Sequence, residues 1–269
     1  KGKAVAVANS GYTLAEAIMP TIFVALIGLL SWKVSWYVSI IMSILILASI
    51  RFLAKTERNK GTKPQKENQQ VGMLKKSWKR SEMLRSWVFW AAVPGLMTSP
   101  MITTTLFFHQ VHLVEIKSWD LSTYVLFIPA YSAATLFSLY LVGYLVDKLS
   151  TKIILPVFLF PLISGLLLLS IATSYLELLL IFILLGLSAG AYIVVYGTFF
   201  PEFFGSLYLG SVRTVGVTIM VFSSAIGPVL SGYFIDLGYL IDHQFKFFAT
   251  FSVLASLLFL TINLSVKLP

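Results

Sequence analysis

The sequence has no cysteine, only 11 acidic residues and 12% charged residues among its 269. Without cysteine there is no disulfide framework and no thiolate metal site. A soluble domain would carry about a quarter of its residues charged, so the shortage of charge excludes a water-soluble fold. Catalytic signatures are missing as well. There is no G-x-x-x-x-G-K-[ST] phosphate loop, no H-E-x-x-H, no G-x-S-x-G and no pair of carboxylates within one apolar run, which leaves nucleotide hydrolysis and membrane enzymes without support.

What is present is apolar: 58% of the residues are hydrophobic. Runs long enough to cross about 30 Å of hydrocarbon fall at approximately Val5–Leu30, Trp36–Leu53, Ser86–Phe108, Leu121–Val146, Ile153–Thr173, Leu176–Phe200, Thr214–Asp236 and Phe245–Val266. Backbone polar groups find no water inside lipid, so each run is predicted to be a helix. Dense Leu, Ile and Phe without strict alternation argues against a barrel. The fold class is an all-α multi-pass membrane protein with eight transmembrane helices.

The formal charge of +9 would suggest a nucleic-acid partner in a soluble protein. Here it is concentrated in one interval, Lys55–Arg85, which holds ten basic residues against Glu57, Glu67 and Glu82. The interval reads as a mobile cytoplasmic linker that either serves as a plain basic connection or meets lipid headgroups. Placing it inside puts 17 of the 20 Lys and Arg on that side and leaves Lys33, Lys117 and Lys246 outside. The positive-inside bias therefore orients the chain in a cell membrane with both ends cytoplasmic. Nucleic acid is not an expected partner; lipid is.

Two spans, a linker and six spans make a lopsided plan: 1–54, 55–85 and 86–269. The deficit of four spans, at an end that begins Lys1-Gly2-Lys3, predicts that an N-terminal part is absent. Three stretches then carry a family likeness. Gly143-Tyr-Leu-Val-Asp147-Lys148-Leu-Ser-Thr-Lys152 resembles the cytoplasmic signature between the eighth and ninth helices of the major facilitator superfamily, with Ser150 where Gly is usual. Gly227-Pro228-Val-Leu-Ser-Gly232-Tyr-Phe-Ile-Asp236 is similar to its penultimate helix. Lys1-Gly-Lys-Ala through Ser10-Gly11, Pro20 and Trp32-Lys33 looks like the fifth helix of the monocarboxylate and oxalate/formate branch. The resemblance implies the fifth to twelfth helices of a monomeric secondary transporter without cofactor. It would move a small solute, such as a monocarboxylate, by alternating access and could couple to protons. Relatives that carry carboxylates often place Arg or Lys within the eighth or eleventh helix, and the matching spans as bounded above contain neither in their interiors. A permease subunit served by a separate ATPase and a non-transporting sensor are the alternatives.

Independently of the family, the Gly143–Lys152 turn has the chemistry of a latch. Gly143 lets two backbones approach, Asp147 can accept from N–H groups at a neighbouring helix N-terminus, and Lys148 and Lys152 can face phosphate or a helix C-terminus. Its plain alternative is an ordinary turn with topology-setting lysines. Glu16 is the acid deepest within a span, on a face with Asn9 and Pro20 at helical spacing, and charge at that depth usually faces a wet cavity or a partner helix. Coupling, substrate contact and a structural hydrogen bond all remain open for it.

Thr98, Thr105 and His109 share a face of the Ser86–Phe108 span near Pro94 and Pro100, where a kink is predicted. His109 and Gln110 could orient a polar substrate, and histidine is suited to sensing pH. An interfacial hydrogen bond is the plainer role for His109. His109-Gln-Val-His112 has a metal-compatible spacing but lacks partners, so no metal is expected. Tyr131 and Tyr192, near the middle of their spans, are cavity candidates that need a hydrogen-bond partner or water. Gly186-Leu-Ser-Ala-Gly190 reads as close helix packing.

Overall fold

The computed structural model describes residues 2–59 and 71–266. The middle of the basic interval, with Lys60, Lys63, Lys66 and Glu67, lies outside the described residues, as do Lys1 and Lys267. Every element described is helical. The order is α1 Gly2–Leu29, α2 Trp32–Asn59, α3 Arg80–Met83, α4 Trp87–Phe108, α5 Gln110–Ile116 and α6 Leu121–Val125. There follow α7 Ile128–Leu149, α8 Thr151–Ile154, α9 Phe160–Leu169, α10 Tyr175–Phe204, α11 Leu209–Asp236 and α12 Ile241–Ser265.

Six segments among the described residues are long and apolar enough to cross a membrane: Trp32–Arg51, Trp87–Phe108, Leu121–Leu149, Tyr175–Phe204, Leu209–Asp236 and Ile241–Ser265. The protein is a multi-pass membrane protein. The run expected as one helix over Ile153–Thr173 is divided into α8, a stretch of turns at 155–159, and α9. Pro156 and Pro161 explain the division, because neither can donate to a helical ladder. The backbone between them winds tightly, with Val157 N–H donating to Ile154 O at 3.0 Å and Phe160 N–H to Val157 O at 3.1 Å.

The chain forms two compact units, Ala15–Gln69 and Lys1–Leu14 with Gln70–Pro269. In the smaller unit α2 exposes Ile40, Ile41, Ile44, Leu45, Ile46 and Leu47, a nearly all-round apolar surface of the kind lipid covers. Ser39, Ser43 and Ser49 keep their hydroxyls out of that surface by donating to the carbonyls of Ser35, Ser39 and Leu45 in the same helix.

The larger unit is built around α10, which crosses α7 where glycines let the backbones meet. A Cβ on Gly186 would overlap Tyr131 O, and one on Gly190 would overlap Thr135 O and stand 2.8 Å from Leu139 N. Ser138 Oγ donates to Leu187 O at 2.5 Å across the same crossing. The small-residue pattern of α10 is thus a packing device, as expected from its spacing. α4 packs against α11 and α12, and α9 against α10 and α12. α10 begins at a capping box in which Ser174 and Glu177 satisfy each other's backbone N–H, and it ends at Gly205 with φ +84.

The second half of the basic interval, expected from composition to be mobile, packs against the helices in the structure. Residues 71–78 form a strap along the end of α10, where Met73 N–H donates to Glu202 O at 2.7 Å, Leu74 N–H to Phe203 O at 3.3 Å and Trp78 N–H to Phe204 O at 2.8 Å. These bonds satisfy carbonyls that the helix end leaves without partners. Trp78 packs edge-on against Phe204 and carries the Lys76 ammonium 4.4 Å from its ring centre. Glu82 is held below the usual carboxylate range, first by the Lys79 backbone N–H and then by Lys76. A few apolar anchors in a polar stretch were enough to dock it.

At the opposite end of the unit, Lys117 pairs with Asp242 at 2.9 Å, Trp119 Nε1 donates to Thr173 O, and Asp120 caps α6.

Candidate substrate site and conformational latch

Pro100 has no N–H, so the Leu96 carbonyl one turn before it in α4 has no donor from its own helix. Tyr192 Oη supplies one from α10 at 3.1 Å. The tyrosine expected to face a cavity therefore ties α4 to α10 across the position that proline opens. Thr98 and Thr105 are fully buried and donate within α4, to Gly95 O and Met101 O at 2.7 Å each. Thr105 and Met101 also form the surface on which Gly227 of α11 packs. Tyr131 is buried with its ring edge-on to Phe107. These four positions are interior to the helix packing.

His109 ends α4, and its Nε2 lies 3.0 Å from Pro228 O. A carbonyl can only accept, so Nε2 is the donor in this contact. The ring lines an open cleft of about 520 Å³ between α4 and α11, together with Thr104, Ser224, Tyr233 and Asp236. Gln110 is half-buried at the start of α5.

The other polar grouping lies toward the basic end, on α10 and α11. Tyr192 and Tyr196 stack with ring centres 5.7 Å apart, and the Arg213 guanidinium carbon is 5.9 Å from the Tyr196 ring centre. The Tyr196 hydroxyl is buried and has no hydrogen-bond partner. Arg213 was missed as a site residue because the hydropathy run begins only at Thr214, whereas the helix begins at Leu209. It stands inside the helix, near an N-terminus whose dipole disfavours a cation.

The Gly143–Lys152 turn meets the start of α1. Gly2 N–H donates to Asp147 Oδ1 at 2.7 Å and Lys3 N–H to Asp147 Oδ2 at 3.0 Å. Gly143 makes the approach possible, because a Cβ there would stand 3.0 Å from Gly2 O and 3.3 Å from the Ala6 methyl. The Lys148 and Lys3 ammonium groups both flank the Tyr144 ring, at 4.6 and 5.3 Å. Lys152 is 8% exposed. Behind the turn, Thr151 N–H donates to Glu202 Oε2 at 2.9 Å, and Glu202 O receives the strap at Met73, so turn and strap occupy one end of the unit. Ser150 adopts φ +77 and ψ 155, a region that favours glycine, and its hydroxyl is buried without a partner. Ser150→Gly is expected to raise the unfolding free energy by about 1 kcal/mol. An unchanged thermal midpoint in detergent would contradict the strain assigned to this position.

Of the remaining sequence candidates, Asn9 donates to Val5 O within α1 at 2.8 Å, and Glu16 is half-buried in the smaller unit.

No curated protein matches the chain. The sequence profile described as Major Facilitator Superfamily matches residues 1–228, which takes in the smaller unit and the larger one as far as Pro228 in α11. A match over that much of 269 residues, on an all-helical multi-pass protein, places the chain in a family of secondary transporters of small solutes: it belongs to the Major Facilitator Superfamily.

Proposed function

We propose that the protein carries a small organic anion, of the monocarboxylate class, by alternating access of two helix bundles joined by the basic linker. In this reading eight helices span the membrane, two before the linker and six after it, with both chain ends and the basic end in the cytoplasm. The protein works as a monomer in the cell membrane. Asp147, with Gly143, Lys148 and Lys152, holds one of the two states, and Glu16 couples transport to protons.

The observation that carries the anion is Arg213 beside Tyr196. A guanidinium is always charged and matches a carboxylate in two-point geometry. The buried Tyr196 hydroxyl beside it is a donor still to be satisfied. Together they offer a carboxylate both charge and hydrogen bonding, at a place where the helix dipole alone would select against Arg. Glu16 supplies the coupling group because an acid within a span exchanges its proton with whichever side it faces.

Purified protein in liposomes is expected to accumulate radiolabelled lactate or pyruvate under an inward proton gradient without ATP. Arg213→Gln should weaken apparent affinity about tenfold, the loss of one charge-assisted contact. Glu16→Gln should flatten the dependence of rate on pH. An unchanged pH profile in Glu16→Gln removes the coupling, and unchanged affinity in Arg213→Gln removes the anion. A requirement for ATP, or ligand binding without flux, would replace transport of this kind with an ATPase-dependent permease or a sensor.

A further inference from the structure

An open cup of about 480 Å³ lies beside the strap, lined by Lys79, Arg80, Ser81 and Leu84 from the strap side and by Tyr208 and Ser211 at the start of α11. The Lys79 ammonium stands 5.8 Å from the Tyr208 ring centre, so the two walls of the cup are held together. Both oxygens of the acid nearest in sequence are engaged within residues 71–85. Glu82 pairs with Lys76 at 3.1 Å through one oxygen and accepts the Lys79 backbone N–H through the other. Among the described residues neither Lys79 nor Arg80 has an ion-pair partner, and the hydroxyls of Ser81 and Tyr208 form no hydrogen bond. Ser211 donates to Tyr208 O, which leaves its oxygen as an acceptor.

The cup therefore presents two unpaired cations and two free hydroxyl donors to one volume. That is the recognition chemistry of a phosphate ester. Its surroundings say where the rest of the ligand goes. Trp87 and Trp90, 52% and 57% exposed, begin the membrane-crossing helix α4, and Trp90 Nε1 donates to Leu84 O in the cup wall. Leu207, beside Tyr208, is exposed as well. Exposed tryptophans at the end of a membrane helix mark the depth of the headgroups. A phosphate in the cup thus sits at headgroup level with apolar surface below it for acyl chains.

We infer that this cup is a binding site for the headgroup of an anionic phospholipid, which clamps the strap to the start of α11. The site is separate from the Tyr196–Arg213 grouping and does not depend on which solute is carried. It does bear on the carrier, because the strap also caps α10 and α10 meets the latch through Glu202.

Native mass spectrometry of the purified protein with phosphatidylglycerol and, separately, phosphatidylcholine tests the site. The expected result is selective retention of phosphatidylglycerol, weakened about thirtyfold in Lys79→Gln/Arg80→Gln by loss of two cations near the membrane surface. Tyr208→Phe, which keeps the ring, should weaken it severalfold, so the inference does not rest on the doubly substituted protein folding. Lys75→Gln/Arg85→Gln removes the same charge from residues 71–85 without touching the cup and should leave retention within about twofold. Equal losses in the two double variants would show diffuse charge attraction and overturn the site. Equal retention of the two lipids would overturn it too. Binding of inorganic phosphate as tight as that of phosphatidylglycerol would assign the cup to a soluble anion and overturn the lipid.

Discussion

Gly190→Leu is expected to abolish recovery of folded protein. α7 and α10 approach here until a Cβ at residue 190 would overlap Thr135 O and stand 2.8 Å from both Leu139 N and Ser138 Cβ. Backbone cannot step aside as a flexible side chain can, so any side chain must push the two helices apart. Separation would also break the Ser138–Leu187 bond and uncover the Gly186 crossing one turn away. Overpacking inside a well-filled core costs about 1–3 kcal/mol, and a clash against backbone at the main helix crossing belongs at or above the top of that range. The measurement is the yield of monodisperse protein on size-exclusion chromatography in detergent. Gly210→Ala is the matching control, because a Cβ there meets nothing within 4 Å and alanine is the better helix former. If Gly190→Leu and Gly210→Ala gave equal yields, the packing role of Gly190 would be wrong.

Asp147→Ala is expected to lower the transport rate more than tenfold while leaving the substrate concentration for half-maximal rate within about twofold. Asp147 accepts from two backbone N–H groups at the start of α1, at 2.7 and 3.0 Å. Both bonds are charge-assisted, a class stronger than neutral hydrogen bonds. They belong to the state in which Gly2 lies against Gly143. A group that stabilises one of two states shifts their populations by its differential contribution, and each ~1.4 kcal/mol is a factor of ten. Asp147→Asn keeps an acceptor but loses the charge, and its rate should fall between those of the wild type and Asp147→Ala. Initial rates of counterflow in liposomes read out both numbers. A large change in half-saturation with an unchanged rate would make Asp147 a substrate ligand and remove its role as a latch.

Much of the geometry of the Gly143–Asp147 turn could be read from residue types. Glycine followed four residues later by aspartate at the end of a helix offers a close approach and an anion together, and both are used in that way. The glycine pair of α10 was legible for the same reason: small residues four apart lie on one face and expose backbone there. Tyr192 was not legible. Its partner is Leu96 O, 96 residues away, and the need for a donor there arises from Pro100 in a different helix. Arg213 was hidden by a boundary, since hydropathy reports where apolar residues begin and the α11 backbone begins its helix five residues sooner, at Leu209. The docking of residues 71–78 was not legible because composition averages over the interval, while docking depended on three backbone bonds and Trp78 at one helix end.

By itself the sequence determined that this chain lives in a membrane as a set of helices, and which small residues let them touch. These follow from solvation and from helical periodicity, which act on neighbouring residues and need no knowledge of the fold. Only the tertiary structure decided which polar groups are consumed in holding helices together and which stay available. Thr98, Thr105 and Tyr192 are bound into the packing, while the Arg213 guanidinium stands over the Tyr196 ring and Lys79 and Arg80 face an open cup. A hydroxyl or a cation has the same chemistry wherever it stands; the groups brought against it by distant segments decide whether any of that chemistry remains for a ligand.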